Sequence, residues 1–204
     1  MLQRTLVLMV LLALAAWPAR AQDCPVSPAI LDEFAMTGDE PIRFKVIGRE
    51  AMVWGTITDA FPCKLRRLLS QHPDLETLVL RKMPGSVAET RNLEAGRFLR
   101  ASGLNTRLKN DSDIASGATT LFLAGVEREG AREARIGVHS WAYGDATTAR
   151  DYRADSAVHD GYLSFFEALG RSPDFYWFTI KAAGADEMHY MRPAELKRFE
   201  FFTD

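Results

Sequence analysis

Lys109–Tyr143, KNDSDIASGATTLFLAGVEREGAREARIGVHSWAY, decides how the rest of this chain is read. It opens on a polar turn, passes a serine flanked by small residues, and enters the short apolar run TTLFLAG. A charged loop then leads to the strand-like ARIGVHSW, which delivers a histidine. Ser116 stands where a helix can begin, so the amide of Gly117 and the positive end of that helix would face an oxyanion formed there. A serine hydroxyl is a weak nucleophile until a base takes its proton, and imidazole is the usual base near neutral pH. Ser116 and His139 are therefore a candidate nucleophile and a candidate base. Each also has a plain structural reading, since serine is a common helix N-cap and His139 fits an ordinary half-buried strand position.

Upstream lies Leu75–Leu108, LETLVLRKMPGSVAETRNLEAGRFLRASGLNTRL. LETLVL reads as a buried strand, and Pro84-Gly85-Ser86 as a tight turn in which glycine admits backbone geometry closed to other residues. A helix follows with Leu93, Phe98 and Leu99 on its apolar side, closed by Gly103 before the strand LNTRL. A strand broken at a Gly-containing turn just before a helix leaves N–H groups free to bind an anion. The same pattern also serves as an ordinary strand-to-helix connection in any α/β domain.

Taken in order, these parts are a strand, a PGG-type turn, a helix, a strand, a small-Ser-small helix start, Ala-Gly, a loop and a strand ending in Gly-x-His. That order resembles the ClpP/crotonase superfamily, whose serine-peptidase members include the Clp protease proteolytic subunit and signal peptide peptidase A. The likeness is greatest to secreted, ClpP-like predicted periplasmic proteins; it extends from Val53 to the C-terminus and is strongest from Leu75 to His139. It implies an α/β fold, a ClpP/crotonase-like spiral of β-β-α units with a mainly parallel sheet. It also implies a homo-oligomer acting on a peptide or protein substrate, without metal or organic cofactor.

The resemblance carries roles onto single residues. Gly85 and Ser86 take the place of the oxyanion turn, Ser116 that of the nucleophile, Gly117 that of the second oxyanion donor, and His139 that of the base. The tail Ala185–Asp204 is similar to the family's closing segment, where an acid orients the imidazole, so Asp186 and Glu187 are the candidates. A register shift of one or two residues would put Met188 or His189 there instead. Two positions depart from the pattern. Ser86 replaces the second glycine, which costs of order 1 kcal/mol if its φ is positive. Ile114 and Ala118 stand where periplasmic relatives often carry cysteines.

The remaining sequence frames this core. Residues 1–21 read as a secretory signal peptide, with Arg4, an apolar run from Thr5 to Trp17, and Ala19-Arg20-Ala21 as the cleavage site. Residues 22–204 are expected to form a single domain in the periplasm or outside the cell. The whole chain has formal net charge −2 and loses two arginines with the signal, so the mature protein is mildly acidic. That speaks against nucleic acid or an anionic membrane surface as a principal partner. Cys24 and Cys63 are the only cysteines, and an oxidising compartment favours a disulfide over two buried thiols. IRFKVI (42–47) and AMVWGTIT (51–58) read as strands of a hairpin, and Phe61–Gln71 as a helix with a basic wet face. Thr148–Leu169 carries an aromatic stripe expected to form one or two helices and to serve as an oligomer interface. His159 within it lacks any metal-ligand spacing and is read as structural or exposed.

The leading functional reading is a secreted serine hydrolase, a peptidase using Ser116, His139 and an acid from Asp186 or Glu187. The alternative is a non-catalytic secreted binding or assembly protein that retains the fold. A third reading, crotonase-type chemistry on an acyl-CoA, uses a similar turn without a Ser–His pair, and secretion speaks against it.

Overall fold

The computed structural model describes residues 23–144 and 147–203; the signal-peptide reading falls outside them. Helix α1 (Pro28–Thr37) leads into the expected hairpin of β1 (Arg43–Ile47) and β2 (Glu50–Trp54), antiparallel through a two-residue turn at Gly48-Arg49. Helix α2 (Phe61–Gln71), β3 (Thr77–Met83), α3 (Glu89–Ala101) and β4 (Asn105–Ala115) follow. Next come α4 (Gly117–Leu123), the short β5 (Arg128–Glu129) and β6 (Arg135–Val138). Two 3-10 turns, at Ala149–Asp151 and Ala157–His159, precede α5 (Asp160–Ala168) and α6 (Asp174–Ala182). A two-residue strand β7 (His189–Tyr190) and α7 (Pro193–Arg198) complete the chain.

The sheet order is β1-β2-β3-β4-β6-β7, with β5 pairing β4. Pairings from β2 through β6 are parallel, and only the two ends are antiparallel. Parallel strands buried on both faces require near-continuous apolar runs, and Leu78, Val79 and Leu80 of β3 are fully buried. Helix α3 packs against α2, α4 and α5. Gly96 makes that approach possible, because a Cβ there would lie 2.8 Å from the Phe165 ring.

Residues 109–113, expected as a polar turn, lie within β4 instead. The β3–β4 register passes from Leu80↔Leu108 to Lys82↔Asp113, so β4 carries extra residues across the break. Ser112 holds that excursion together: its hydroxyl donates to the Leu80 carbonyl at 2.6 Å and accepts the Lys109 N–H at 2.9 Å. The first arm of β4 pairs with β5 and the second with β6. The register break thereby brings Ala115, and Ser116 after it, beside Gly137.

Cys24 and Cys63 form the expected disulfide, tying the segment before α1 to the first turn of α2. The C-terminal half is held differently. The Arg128 guanidinium donates to the carbonyls of Gly125 at 3.1 Å and Phe201 at 3.0 Å, and Arg171 reaches those of Phe199 and Glu200. Burial pushes Arg128 down to about 10, a cost accepted because carbonyls surround it. Within the aromatic arm, Phe165 and Phe166 are buried in this chain's own core.

Candidate active site

Ser116 sits between the end of β4 and α4 with φ 51° and ψ −126°, a conformation that L-residues rarely adopt and that costs of order 1–3 kcal/mol. Its neighbours over-determine that geometry. The Ser116 N–H donates to the Gly137 carbonyl at 3.0 Å, and its own carbonyl accepts from the Thr119 N–H at 2.9 Å and the Thr119 hydroxyl at 2.7 Å. Gly85, at φ 147°, lies directly against it: a Cβ on Gly85 would stand 2.9 Å from the Ser116 Cβ. Only glycine meets both demands, the positive φ and the close approach.

The turn at Gly85-Ser86 is pinned from its other side. Ile57 donates its N–H to the Gly85 carbonyl at 2.9 Å, and its carbonyl accepts from the Val87 N–H at 3.0 Å. In an extended segment alternate amides face opposite edges, so the Ser86 N–H turns away from Ile57. Ser86 does not have a positive φ; among the described residues only Ser116 and Glu200 do so without being glycine. The strain feared from replacing the second glycine is therefore absent at Ser86. Gly117 packs on this turn, since a Cβ there would lie 2.6 Å from the Ser86 Cβ. Being the first residue of α4, Gly117 has an N–H that precedes any intrahelical bond.

His139 follows β6, and the geometry of its imidazole settles a tautomer. Its Nδ1 lies 3.1 Å from the carbonyl of Ala185. A carbonyl only accepts, so Nδ1 carries the proton, and in the neutral ring Nε2 presents a lone pair, the form a general base requires. Neither carboxylate proposed from the sequence is the imidazole's partner. Glu187 folds back to accept the Gly184 N–H at 3.2 Å, and Asp186 is exposed. His189, the other candidate by register, is paired through Nε2 with Glu195 at 2.9 Å. The turn at Ala185-Asp186 puts a backbone carbonyl where a carboxylate was expected.

Ser116, Gly117 and His139 line one cavity of about 30 Å³. Its remaining wall comes from Glu89, Thr120, Trp141, Tyr162, Tyr176 and Thr179, among others. His159 is fully buried behind this wall. The Tyr176 hydroxyl accepts from the Trp141 Nε1–H at 3.0 Å and is hydrogen-bonded to His159 Nδ1 at 2.6 Å. Burial pushes the Tyr176 phenol up to about 12. His159 is thus structural, a prop for the cavity wall.

Comparison with solved structures gives the fold. A mutant of the 1510-N membrane-bound stomatin-specific protease, in complex with a substrate peptide, superposes with TM-score 0.51 at 15% identity, over 74% of this chain and 71% of that one. A second mutant of that protease gives TM-score 0.51 at 14% identity, over 74% and 75%. An enoyl-CoA hydratase/isomerase family member gives TM-score 0.50 at 13% identity, over 80% and 69%. The fold is that of the ClpP/crotonase superfamily. No protein-family model matches the chain, and a search of curated proteins returns no significant match.

Within this ClpP/crotonase fold, Ser116, Gly117 and His139 line one cavity, with Gly85 packed against Ser116 and Ser86 against Gly117, whereas Asp186 and Glu187 do not line it. Glu89 was missed from the sequence, although Ser86-Val87-Ala88-Glu89 has the spacing of a capping box. Among the described residues no group of three His, Cys, Asp or Glu is placed to hold a metal, and no helix is long and apolar enough to cross a membrane.

Proposed function

We propose that this protein is a Ser–His hydrolase of the ClpP-like type, a peptidase working in the periplasm or outside the cell. Ser116 attacks the carbonyl of a peptide or protein substrate, and His139 Nε2 takes its proton and returns it to the leaving amine. The N–H groups of Ser86 and Gly117, positioned by Gly85, hold the oxyanion. The Ala185 carbonyl orients the imidazole in the role that the sequence assigned to Asp186 or Glu187. A carbonyl dipole stabilises imidazolium less than a carboxylate does, so the reading is of a slow or selective enzyme. No metal or organic cofactor has a step in this scheme, and association into a homo-oligomer belongs to the same proposal.

The observation that carries the reading is the strained backbone of Ser116, facing the same cavity as a histidine held in the basic tautomer. Backbone strain of this kind persists where function requires it. An N-cap would need none of it, and the Ser116 side chain caps no amide of α4. The Cys24–Cys63 bridge supports an oxidising compartment.

A second reading, a binding or assembly protein that retains the fold, draws support from the small size of the cavity, about 30 Å³. A library of quenched-fluorescent peptides separates the two. Cleavage by the wild type, abolished in both Ser116→Ala and His139→Ala, is the expected result. Equal cleavage by the wild type and Ser116→Ala would remove the peptidase reading.

A further inference from the structure

Glu89, the first residue of α3, faces the same cavity as Ser116, Gly117 and His139. Its carboxyl is packed over the backbone of Gly117: a Cβ added there would come within 3.1 Å of Glu89 Oε2. Asn92 ties the two together, its amide nitrogen donating to the Gly117 carbonyl at 2.8 Å and lying 3.3 Å from Glu89 Oε1. Ser86 closes the group from the other oxyanion segment. Its hydroxyl accepts the Ala88 N–H at 3.1 Å and hydrogen-bonds with the Glu89 carboxyl. The serine that replaces a glycine in the turn and the carboxyl inside the cavity are therefore one feature.

We propose that Glu89 is a further catalytic residue, a carboxylic acid standing between the two oxyanion segments that donates a hydrogen bond to the oxygen of the reacting carbonyl. The inference rests on the hydrolase reading above and adds a third donor to its oxyanion site. The electrostatics agree with the geometry. Among the described residues that line the cavity there is no lysine or arginine; the titratable groups facing Glu89 are Tyr162 from α5, Tyr176 from α6 and His139 beyond β6. Burial pushes the Glu89 carboxyl above its ordinary value, outweighing the hydrogen bonds from Asn92, Tyr162 and Ser86 that favour the ionised form. The N-terminal end of α3 pulls the same way as those bonds and is also outweighed. A carboxylic acid held neutral can donate to an oxyanion, whereas an ionised carboxylate beside the same oxygen would repel it.

Ionisation of Glu89 should then impose a decline on the reaction as pH rises through its raised folded-state value. The test is the second-order rate of fluorophosphonate labelling of the mature protein across pH, for wild type, Glu89→Gln and Glu89→Leu. Glu89→Gln keeps a donor that does not titrate, so its rate should fall less than tenfold at the wild-type optimum and this decline should disappear. Glu89→Leu should label roughly a hundredfold more slowly, the scale of losing one oxyanion donor.

A second readout does not depend on activity. A carboxyl with a raised folded-state pKa contributes stability that is complete below its unfolded value and lost as pH rises through the folded one. The thermal midpoint of wild type should therefore fall relative to Glu89→Gln as pH rises above the ordinary glutamate range. Labelling of wild type with the same decline in Glu89→Gln overturns this inference alone, as does a midpoint difference that is flat with pH. No labelling of wild type at any pH overturns the hydrolase reading and this inference with it.

Discussion

The two walls of the cavity are built by different means. The Ser116 wall is backbone against backbone: Gly85 pressed on Ser116, Ile57 bridged to the turn, Gly137 accepting the serine amide. The His139 wall is side chain against backbone, with His139 on the Ala185 carbonyl and the C-terminal segment held by Arg128 and Arg171. Backbone contacts admit almost no variation at each position, since one added methyl group collides. Side-chain contacts can be exchanged for others of similar reach. The geometry of Ser116 is thus a property of the fold, and the orientation of His139 a property of one loop.

This contrast can be broken first at its covalent end. The disulfide lies on the N-terminal side, remote from the cavity, and closes a loop of 39 residues. Replacing both cysteines by serine should cost about 3–4 kcal/mol by chain entropy, read as a lowered urea midpoint, while fluorophosphonate reactivity at low temperature stays unchanged. Lost reactivity in a protein that is still folded would mean that the two sides are coupled.

Gly85→Ala comes next. It imposes both a positive φ and a 2.9 Å contact on the turn, so it should cost about 2–3 kcal/mol and at least a hundredfold in labelling rate. Ser116→Gly sharpens the point in the opposite direction. It relieves the strain at φ 51°, less the entropy glycine adds to the unfolded chain, and should raise stability by about 1 kcal/mol while removing the proposed nucleophile. Ser116→Ala keeps the strain and should leave the thermal midpoint nearly unchanged.

On the His139 wall the effects are smaller. Glu195 joins Arg192 and His189, and these contacts, Arg192 foremost, hold its carboxyl down to about 2. A depressed acid contributes stability that is present above its unfolded value and lost as pH falls through the folded one. The acid limb of stability should therefore span roughly pH 4.5 to 2. Glu195→Gln should flatten that limb and cost about 1 kcal/mol at neutral pH. Smallest of all, Asp186→Asn and Glu187→Gln should each change the labelling rate by less than about threefold, because neither carboxylate holds the imidazole. A large loss in either would restore the carboxylate triad expected from the sequence.

The sheet was legible because its determinants are local. The runs LETLVL and ARIGVHSW read as strands, and Leu65, Leu68 and Leu69 mark the face of α2. The serine, histidine and glycine turn were legible as an order of parts. The path of β4 was not, because Asn110, Asp111 and Asp113 carry the polarity of a turn and only the Ser112 contacts reveal a strand excursion. The partner of His139 was hidden for another reason. A backbone carbonyl leaves no mark on the residue type, and Asp186 and Glu187 stand next to Ala185 in the chain while pointing elsewhere. Glu89 looked like a helix-start carboxylate, and only the folding of α5 over it, with Tyr162, makes it part of the cavity.

The most direct test of the central claim is mass-spectrometric mapping of a fluorophosphonate adduct on the mature, disulfide-bonded protein. A single adduct on the peptide containing Ser116, absent from His139→Ala and from unfolded protein, is the predicted result. Intact protein that stays unmodified across pH, or that carries its adduct on a different residue, would contradict it.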